Sequence, residues 1–389
     1  MAVANGWAVK GLVPILLTAL LGGLPLLGCS RAAVQQPKPQ PFVFRALDLR
    51  QQDAKGRPTW ELISPEARYD LQGRQARVKR PRGVIYAAGK PRYRIEAASG
   101  TVLNDGEMIE LEGGVRIQVL GPKPSVISGD RVRWIPKRER IAIDRRPMLV
   151  DQASRLTATT ALFLIDQSKL ELRGPTRLLN KQLDLRVARA DWFASTGALL
   201  AAGPVLGERR VGKGPVQTLT ASALEGNTRD EVLDALAPVR FTDPAQNTVI
   251  DAQRVRWTST TERISTLLPF VGRSGKLQVR GNSLEVQLDQ HWALIPSGCD
   301  LRQPGEKLLA RDCLYNWQTR SVLARGGVVL HRDANQQVTR SDQVVGRVGT
   351  GGLAEFTTPG GRVNSQLRIA PSSPGPGSRP GRTTPAVTF

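Results

Sequence analysis

Residues able to do covalent or metal chemistry are scarce in this sequence of 389 residues, which has three cysteines and two histidines. His291 and His331 lie forty residues apart with no cysteine or histidine at ligand spacing, so no metal site is predicted. The Gly-x-Ser-x-Gly, His-Glu-x-x-His and P-loop patterns are all missing. We therefore predict a binding protein with no catalytic residue and no cofactor.

Cys29 ends an apolar N-terminal stretch. Gly11 to Leu27 form an apolar run, which is shorter than the ~20 residues of a membrane-spanning helix and typical of an export signal. It closes in Leu26-Leu27-Gly28-Cys29, as in a bacterial lipobox. We predict a signal peptide over 1–28, a lipid anchor on Cys29 and an extended tether over 29–41. An uncleaved N-terminal anchor is the alternative, and either would hold the chain at a membrane, outside the cytoplasm.

The two remaining cysteines, Cys299 and Cys313, are predicted to form a disulfide. Disulfides persist outside the cytoplasm, and a separation of fourteen residues suits a bridge between neighbouring structural units. Two buried thiols are the alternative.

The charge of the chain points to an anionic partner. Lys and Arg number 55 against 34 Asp and Glu, a net charge of +21. Such a surface attracts nucleic acid, phospholipid headgroups or an acidic glycolipid. The export signal and the lack of any nucleic-acid-binding motif argue against nucleic acid as a partner.

Alternating apolar and polar residues predict β-strands. From Ile109 to Val119, apolar side chains alternate with Glu, Arg and Gln, which places one face of a strand on a core and the other in water. Gly113 and Gly114 interrupt this stretch, so we expect the strand to bend there from one sheet into the next.

These strands recur in units of about thirty residues. Arg-Val-Arg-Trp occurs at 131–134 and 254–257, and Glu-Arg-Ile follows at 139–141 and 262–264. Weaker copies extend the series from Glu66 to beyond Ser341. A fixed period of this length is typical of stacked units that bury their apolar faces against one another.

Three segments carry a resemblance to a known family. They are DAKGRPTWELISPEARYD from Asp53, GVIYAAGKPRYRIEAASGTV from Gly83, and IELEGGVRIQV from Ile109. In this order they resemble LptC, the periplasmic protein of lipopolysaccharide export, over residues 42–175. Residues 176–369 resemble the related LptA/organic-solvent-tolerance repeat module. Residues 370–389 are rich in Pro, Ser, Gly and Arg and are predicted to be disordered.

The resemblance implies an all-β fold, a twisted open β-jelly roll of two facing antiparallel sheets. Inward-facing apolar side chains would then line a lipid trough or, alternatively, fill a closed core; the resemblance favours the trough. The predicted lipid-binding residues are Trp60, Leu62, Tyr69, Tyr93, Ile95, Ile109, Leu111, Val115, Ile117, Val132, Trp134, Ile141, Ile143, Leu162 and Leu164.

The resemblance further implies a carrier of lipopolysaccharide, working between an inner-membrane ABC transporter and an LptA-like bridge protein that pairs with its edge strands. We expect it on the periplasmic face of the inner membrane. The alternatives are a structural lipoprotein scaffold and a polysaccharide-active β-solenoid enzyme. The enzyme would need a ladder of carboxylates at equivalent positions of successive units, and the sequence has none.

Overall fold

The computed structural model describes residues 42–181, 183–210, 214–333, 336–347, 354–357, 362–366 and 368. All of them belong to one contact unit, Pro41–Phe389. Cys29, the predicted signal peptide and tether, and the tail over 370–389 lie outside the described residues. Within the described part, no helix is long and apolar enough to span a membrane.

The alternating segments form strands, and the only helical elements described are two 3₁₀ turns, Asn104–Gly106 and Pro136–Arg138. The strands, in chain order, are β1 (Phe42–Phe44), β2 (Leu47–Gln52), β3 (Pro58–Ser64), β4 (Glu66–Asp70), β5 (Gln75–Lys79), β6 (Arg82–Ala87), β7 (Lys90–Glu96), β8 (Ser99–Leu103), β9 (Met108–Val119), β10 (Ser125–Ile135), β11 (Arg140–Arg145), β12 (Met148–Asp151), β13 (Ser154–Thr157), β14 (Thr160–Leu164), β15 (Lys169–Arg173), β16 (Thr176–Asn180), β17 (Leu183–Val187), β18 (Arg189–Phe193), β19 (Ala198–Arg209), β20 (Gln217–Asn227), β21 (Val232–Asp243), β22 (Thr248–Thr258), β23 (Arg263–Thr266), β24 (Phe270–Ser274), β25 (Leu277–Gly281), β26 (Leu284–Gln287), β27 (Trp292–Ile295), β28 (Cys299–Gln303), β29 (Glu306–Ala310), β30 (Asp312–Asn316), β31 (Ser321–Arg332), β32 (Gln337–Arg347), β33 (Ala354–Thr357) and β34 (Asn364–Gln366).

Antiparallel pairing arranges these strands in two long sheets, which confirms the predicted fold. Sheet 1 has the order β1-β4-β5-β8-β9-β10-β11-β14-β15-β18-β19-β20-β21-β22-β23-β26-β27-β30-β31-β32-β33. Sheet 2 has the order β2-β3-β6-β7-β9-β10-β12-β13-β16-β17-β19-β20-β21-β22-β24-β25-β28-β29-β31-β32-β34.

Long strands belong to both sheets because they bend halfway along. In β9, for example, Met108–Glu112 pairs with β8 in sheet 1, whereas Arg116–Val119 pairs with β7 in sheet 2. The predicted bend at Gly113 and Gly114 is thus confirmed. We call the side where the chain crosses between sheets the corner edge, and the opposite side, where the hairpin turns lie, the mouth.

Each thirty-residue unit contributes two strands to sheet 1 and then two to sheet 2. The unit from Ser128 supplies the second half of β10 and β11, then β12 and β13. The unit from Asp251 supplies the second half of β22 and β23, then β24 and β25. Because every unit repeats this succession, equivalent residues line up in rows along the sheets.

Candidate functional site

The space between the two sheets is apolar, and most of the predicted trough residues lie in it. Trp60 is 7% exposed, and the following residues are at most 1% exposed: Leu62, Tyr93, Ile95, Ile109, Leu111, Val115, Ile117, Val132, Trp134, Ile141 and Ile143. Tyr69 is partly buried at the mouth, where its hydroxyl donates a hydrogen bond to Asp105 Oδ1 at 2.9 Å. These side chains pack as a filled core in this structure.

The prediction for Leu162 and Leu164 is wrong by one residue. In β14 the inward side chains are Ala161 and Phe163, which pair with Ile143 and Ile141. Leu162 and Leu164 alternate with them and point to the opposite face of sheet 1. Four successive apolar residues, from Ala161 to Leu164, made the two faces of this strand indistinguishable in the sequence.

Aromatic side chains close the first units across the gap between the sheets. Trp60 of sheet 2 packs edge-to-face on Trp134 of sheet 1, with ring centroids 5.3 Å apart. Tyr93 packs in the same way on Phe163 at 5.1 Å, and its hydroxyl shares a hydrogen bond of 2.9 Å with Ser168 Oγ. These large rings span the interior of the first units.

Further along the chain the interior opens into an apolar groove. A cavity of about 170 Å³ extends between the sheets over residues 183–288. Several of the apolar side chains that line it are only partly buried, and they come from both sheets: Leu219, Phe241, Ile250, Trp257, Ile264 and Val286. We call this cavity the central groove.

The central groove continues the rows that form the closed core. Trp257 occupies in β22 the position that Trp134 occupies in β10, because both end the repeated Arg-Val-Arg-Trp. Trp134 is 1% exposed, whereas Trp257 is partly exposed and lines the groove. These residues were not among the predicted trough residues, which come only from the first units; the repeated tetrapeptide was the available signal.

Charged groups lie where the central groove meets the mouth. Arg209 of sheet 2 lines the groove and donates from Nη1 to Gln217 Oε1 at 3.0 Å, and Gln217 donates to Asp243 Oδ2 at 2.8 Å. Burial lowers the pKa of Arg209, an effect opposed by the carboxylates of Glu262 and Asp243. The groove therefore combines an apolar floor with a polar, charged rim, as an amphiphilic ligand requires.

A disulfide joins the sheets beyond the central groove. Cys299 starts β28 of sheet 2 and Cys313 lies in β30 of sheet 1, with Sγ atoms 2.06 Å and Cα atoms 5.9 Å apart. Both residues belong to a second buried cluster that also contains Phe270, Ile295 and Val344. Leu284 of this cluster and Leu233 and Val239 of the first cluster line the groove, so the groove lies where the two clusters meet.

Metal-ligating side chains do not cluster in the described part of the chain: it has no group of three or more His, Cys, Asp or Glu residues that could hold an ion. His291 instead packs on Trp317, with ring centroids 5.8 Å apart.

Comparison with known proteins gives one family match. Residues 14–174 match the LptC family, described as lipopolysaccharide-assembly, LptC-related. Among solved structures, the chain is similar to LptH, the LptA-homologous periplasmic component of the conserved lipopolysaccharide transport device from Pseudomonas aeruginosa, at 8% identity and a TM-score of 0.24. That alignment covers 27% of this chain and 76% of the other. No curated protein matches the sequence.

Proposed function

We propose, from the match of residues 14–174 to the LptC family, that the protein binds lipopolysaccharide and passes it from an inner-membrane ABC transporter toward the outer membrane. The observation that carries the proposal is the central groove, an apolar channel between two facing sheets with charged groups at its mouth. Acyl chains would lie between Trp257, Ile264 and Phe241, while the sugar-phosphate head would remain at the wet mouth.

The edges of the sheets support transfer between proteins. Among the described strands, β1 pairs only with β4 and β2 only with β3, so each leaves one edge without a neighbour. Phe42, Val43 and Phe44 of β1 are 57%, 62% and 47% exposed. Free strand edges with apolar side chains recruit a further strand. We assign the N-terminal edge to the transporter and the C-terminal edge to an LptA-like bridge protein, with the chain held at the periplasmic face of the inner membrane by Cys29.

Photo-crosslinking in living cells tests the proposal. A photo-reactive amino acid at Ile264, which faces the central groove, is expected to form adducts with lipopolysaccharide. The matched control is the neighbouring Arg263, whose side chain is exposed and ion-paired with Glu285 on the outer face; it should form none. Absence of adducts at both Ile264 and Trp257 would contradict lipid carriage and favour a structural scaffold.

A further inference from the structure

A buried carboxylate connects the two sheets just before the central groove. Asp151 ends β12 at the mouth of sheet 2 and is 0% exposed. Ser125 Oγ of the same sheet donates to Asp151 Oδ1 at 2.7 Å. The hydroxyl of Thr228, which follows β20 at the mouth of sheet 1, donates to Oδ2. This last bond crosses the mouth.

Thr228 is itself held in place by sheet 1. It is 1% exposed, and Trp192 Nε1 donates to its Oγ1 at 3.0 Å. Its backbone N–H donates to the carbonyl of Gly197 at 2.9 Å. We call the chain Ser125–Asp151–Thr228–Trp192 the mouth latch.

The chemistry of the mouth latch suits a contact that opens. A buried carboxylate is costly unless it is paired, and in the described part of the chain only hydroxyl groups hydrogen-bond to Asp151. An apolar pair at this place would close the mouth more cheaply. Hydroxyl and carboxylate, unlike an apolar pair, can hydrogen-bond to water when they separate, so part of the cost of opening is recovered.

The position of the mouth latch coincides with a change in the interior. On one side lie Ile127 and Phe163, both 0% exposed within the filled core. On the other side lie Leu219 and Trp257, which are partly buried and line the central groove. The latch therefore lies between the filled core of the first units and the accessible side chains of the groove.

We propose that the mouth latch sets the upstream limit of the lipid site, with Asp151 and Thr228 as positioning residues. Lipid enters the central groove sideways through the mouth and reaches the interior of the first units only when the Asp151–Thr228 bond opens. This inference rests on the proposed function and adds the route by which the lipid moves.

Crosslinking at two positions in three backgrounds tests the inference. The photo-reactive residue is placed either at Ile264, which lies in the groove, or at Phe163, which lies in the closed interior. Each placement is made in the wild type, in Thr228→Val and in Thr228→Ser. Valine keeps the shape of threonine but lacks the hydroxyl, whereas serine keeps the hydroxyl. Loss of one hydrogen bond to a carboxylate shifts the open fraction by about tenfold. We therefore expect lipopolysaccharide adducts at Phe163 to rise by about that factor in Thr228→Val only.

The outcomes separate the two proposals. No adduct at Ile264 in any background overturns the proposed function. Adducts at Ile264 without a gain at Phe163 in Thr228→Val overturn the latch and leave lipid carriage intact. Loss of folded protein in Thr228→Val, seen by near-UV circular dichroism while Thr228→Ser stays folded, also overturns the latch, because the bond would then be purely structural.

Discussion

At the scale of single residues, Asp234 shows how charge is held on the outer face of sheet 1. Its side chain is 5% exposed and lies 2.7 Å from Arg254 Nη2 and 2.8 Å from Arg256 Nη2. Burial alone would raise the pKa of Asp234, but hydrogen bonds from Arg256 and Arg254 outweigh it and the pKa falls below its ordinary value. A lowered carboxyl pKa stabilises the fold at neutral pH, and this stability is lost as the pH falls through the folded-state pKa.

Replacing the Asp234 carboxylate should therefore lower the stability of the fold by an amount that depends on pH. We expect Asp234→Asn to lower the free energy of unfolding at pH 7 by about 1–2 kcal/mol, a value kept modest because both arginines are half-exposed. The difference from wild type should shrink as the pH falls below about 4, where the carboxyl of the unfolded chain protonates, and should be lost below the lowered folded-state pKa. Urea denaturation at both pH values measures this.

The matched control is Asp251→Asn. Asp251 pairs with Arg240 on the outer face of sheet 2, where both side chains are about half-exposed, at 49% and 63%. Exposed pairs contribute little, so the stability should hardly change. Equal effects of the two substitutions on the free energy of unfolding would show that the burial of Asp234 adds nothing to its contribution to stability.

At the scale of elements, the corner edge requires glycine. Gly113 has φ +82°, a conformation that side chains disfavour, and a Cβ there would lie 2.8 Å from Ala98 Cβ in the preceding corner. Gly203 repeats the arrangement, with φ +91° and a Cβ position 2.8 Å from Ala188 Cβ. In both cases the contact is with the residue fifteen positions earlier, which is half a unit, so successive corners within one unit pack directly on one another.

Substitutions at two adjacent glycines separate the cost of overpacking from the cost of the left-handed backbone conformation. Gly113→Ala should lose about 2–4 kcal/mol of stability, because it adds overpacking against Ala98 to the left-handed backbone. Gly114 has φ +64° but nothing within 4 Å of its Cβ position, so Gly114→Ala should lose only about 1–2 kcal/mol. Denaturation curves of both variants measure the difference; equal losses would mean that corner packing adds nothing.

At the scale of the whole described unit, the interior has two buried clusters, and the central groove lies where they meet. The first buried cluster runs from Trp60 to Val239, and the second contains the Cys299–Cys313 disulfide. In a repeat array each unit contacts only its neighbours, so local stability varies along the chain. The disulfide should therefore stabilise the second cluster without affecting the first.

Hydrogen exchange can test this independence. In a Cys299→Ser/Cys313→Ser double variant, amide exchange should accelerate over 284–344 and stay unchanged over 109–163. A loop of this length contributes ~3 kcal/mol in the chain-entropy model, which corresponds to an acceleration of about a hundredfold. Faster exchange in both regions would instead mean that the array unfolds as one cooperative body.

Much of this architecture follows from local pattern. Period-two alternation located the strands, because one face of each strand is apolar, and the thirty-residue repeat indicated stacked units that bury their apolar faces against one another. Gly113-Gly114 marked one such crossing by itself. The alternation failed only where it was weak, at Leu162 and Leu164, where apolar residues occupy both faces of β14.

The sequence by itself thus determined which side chains point into the space between the sheets, with the exception of β14. Only the tertiary structure decided which of them are accessible there. Trp134 and Trp257 end the same tetrapeptide, yet one is buried and the other lines the central groove. Trp134 is covered by Trp60 of the facing sheet, a residue far away in the chain. No local period records such contacts, because the separation of two sheets is set by side chains from different units.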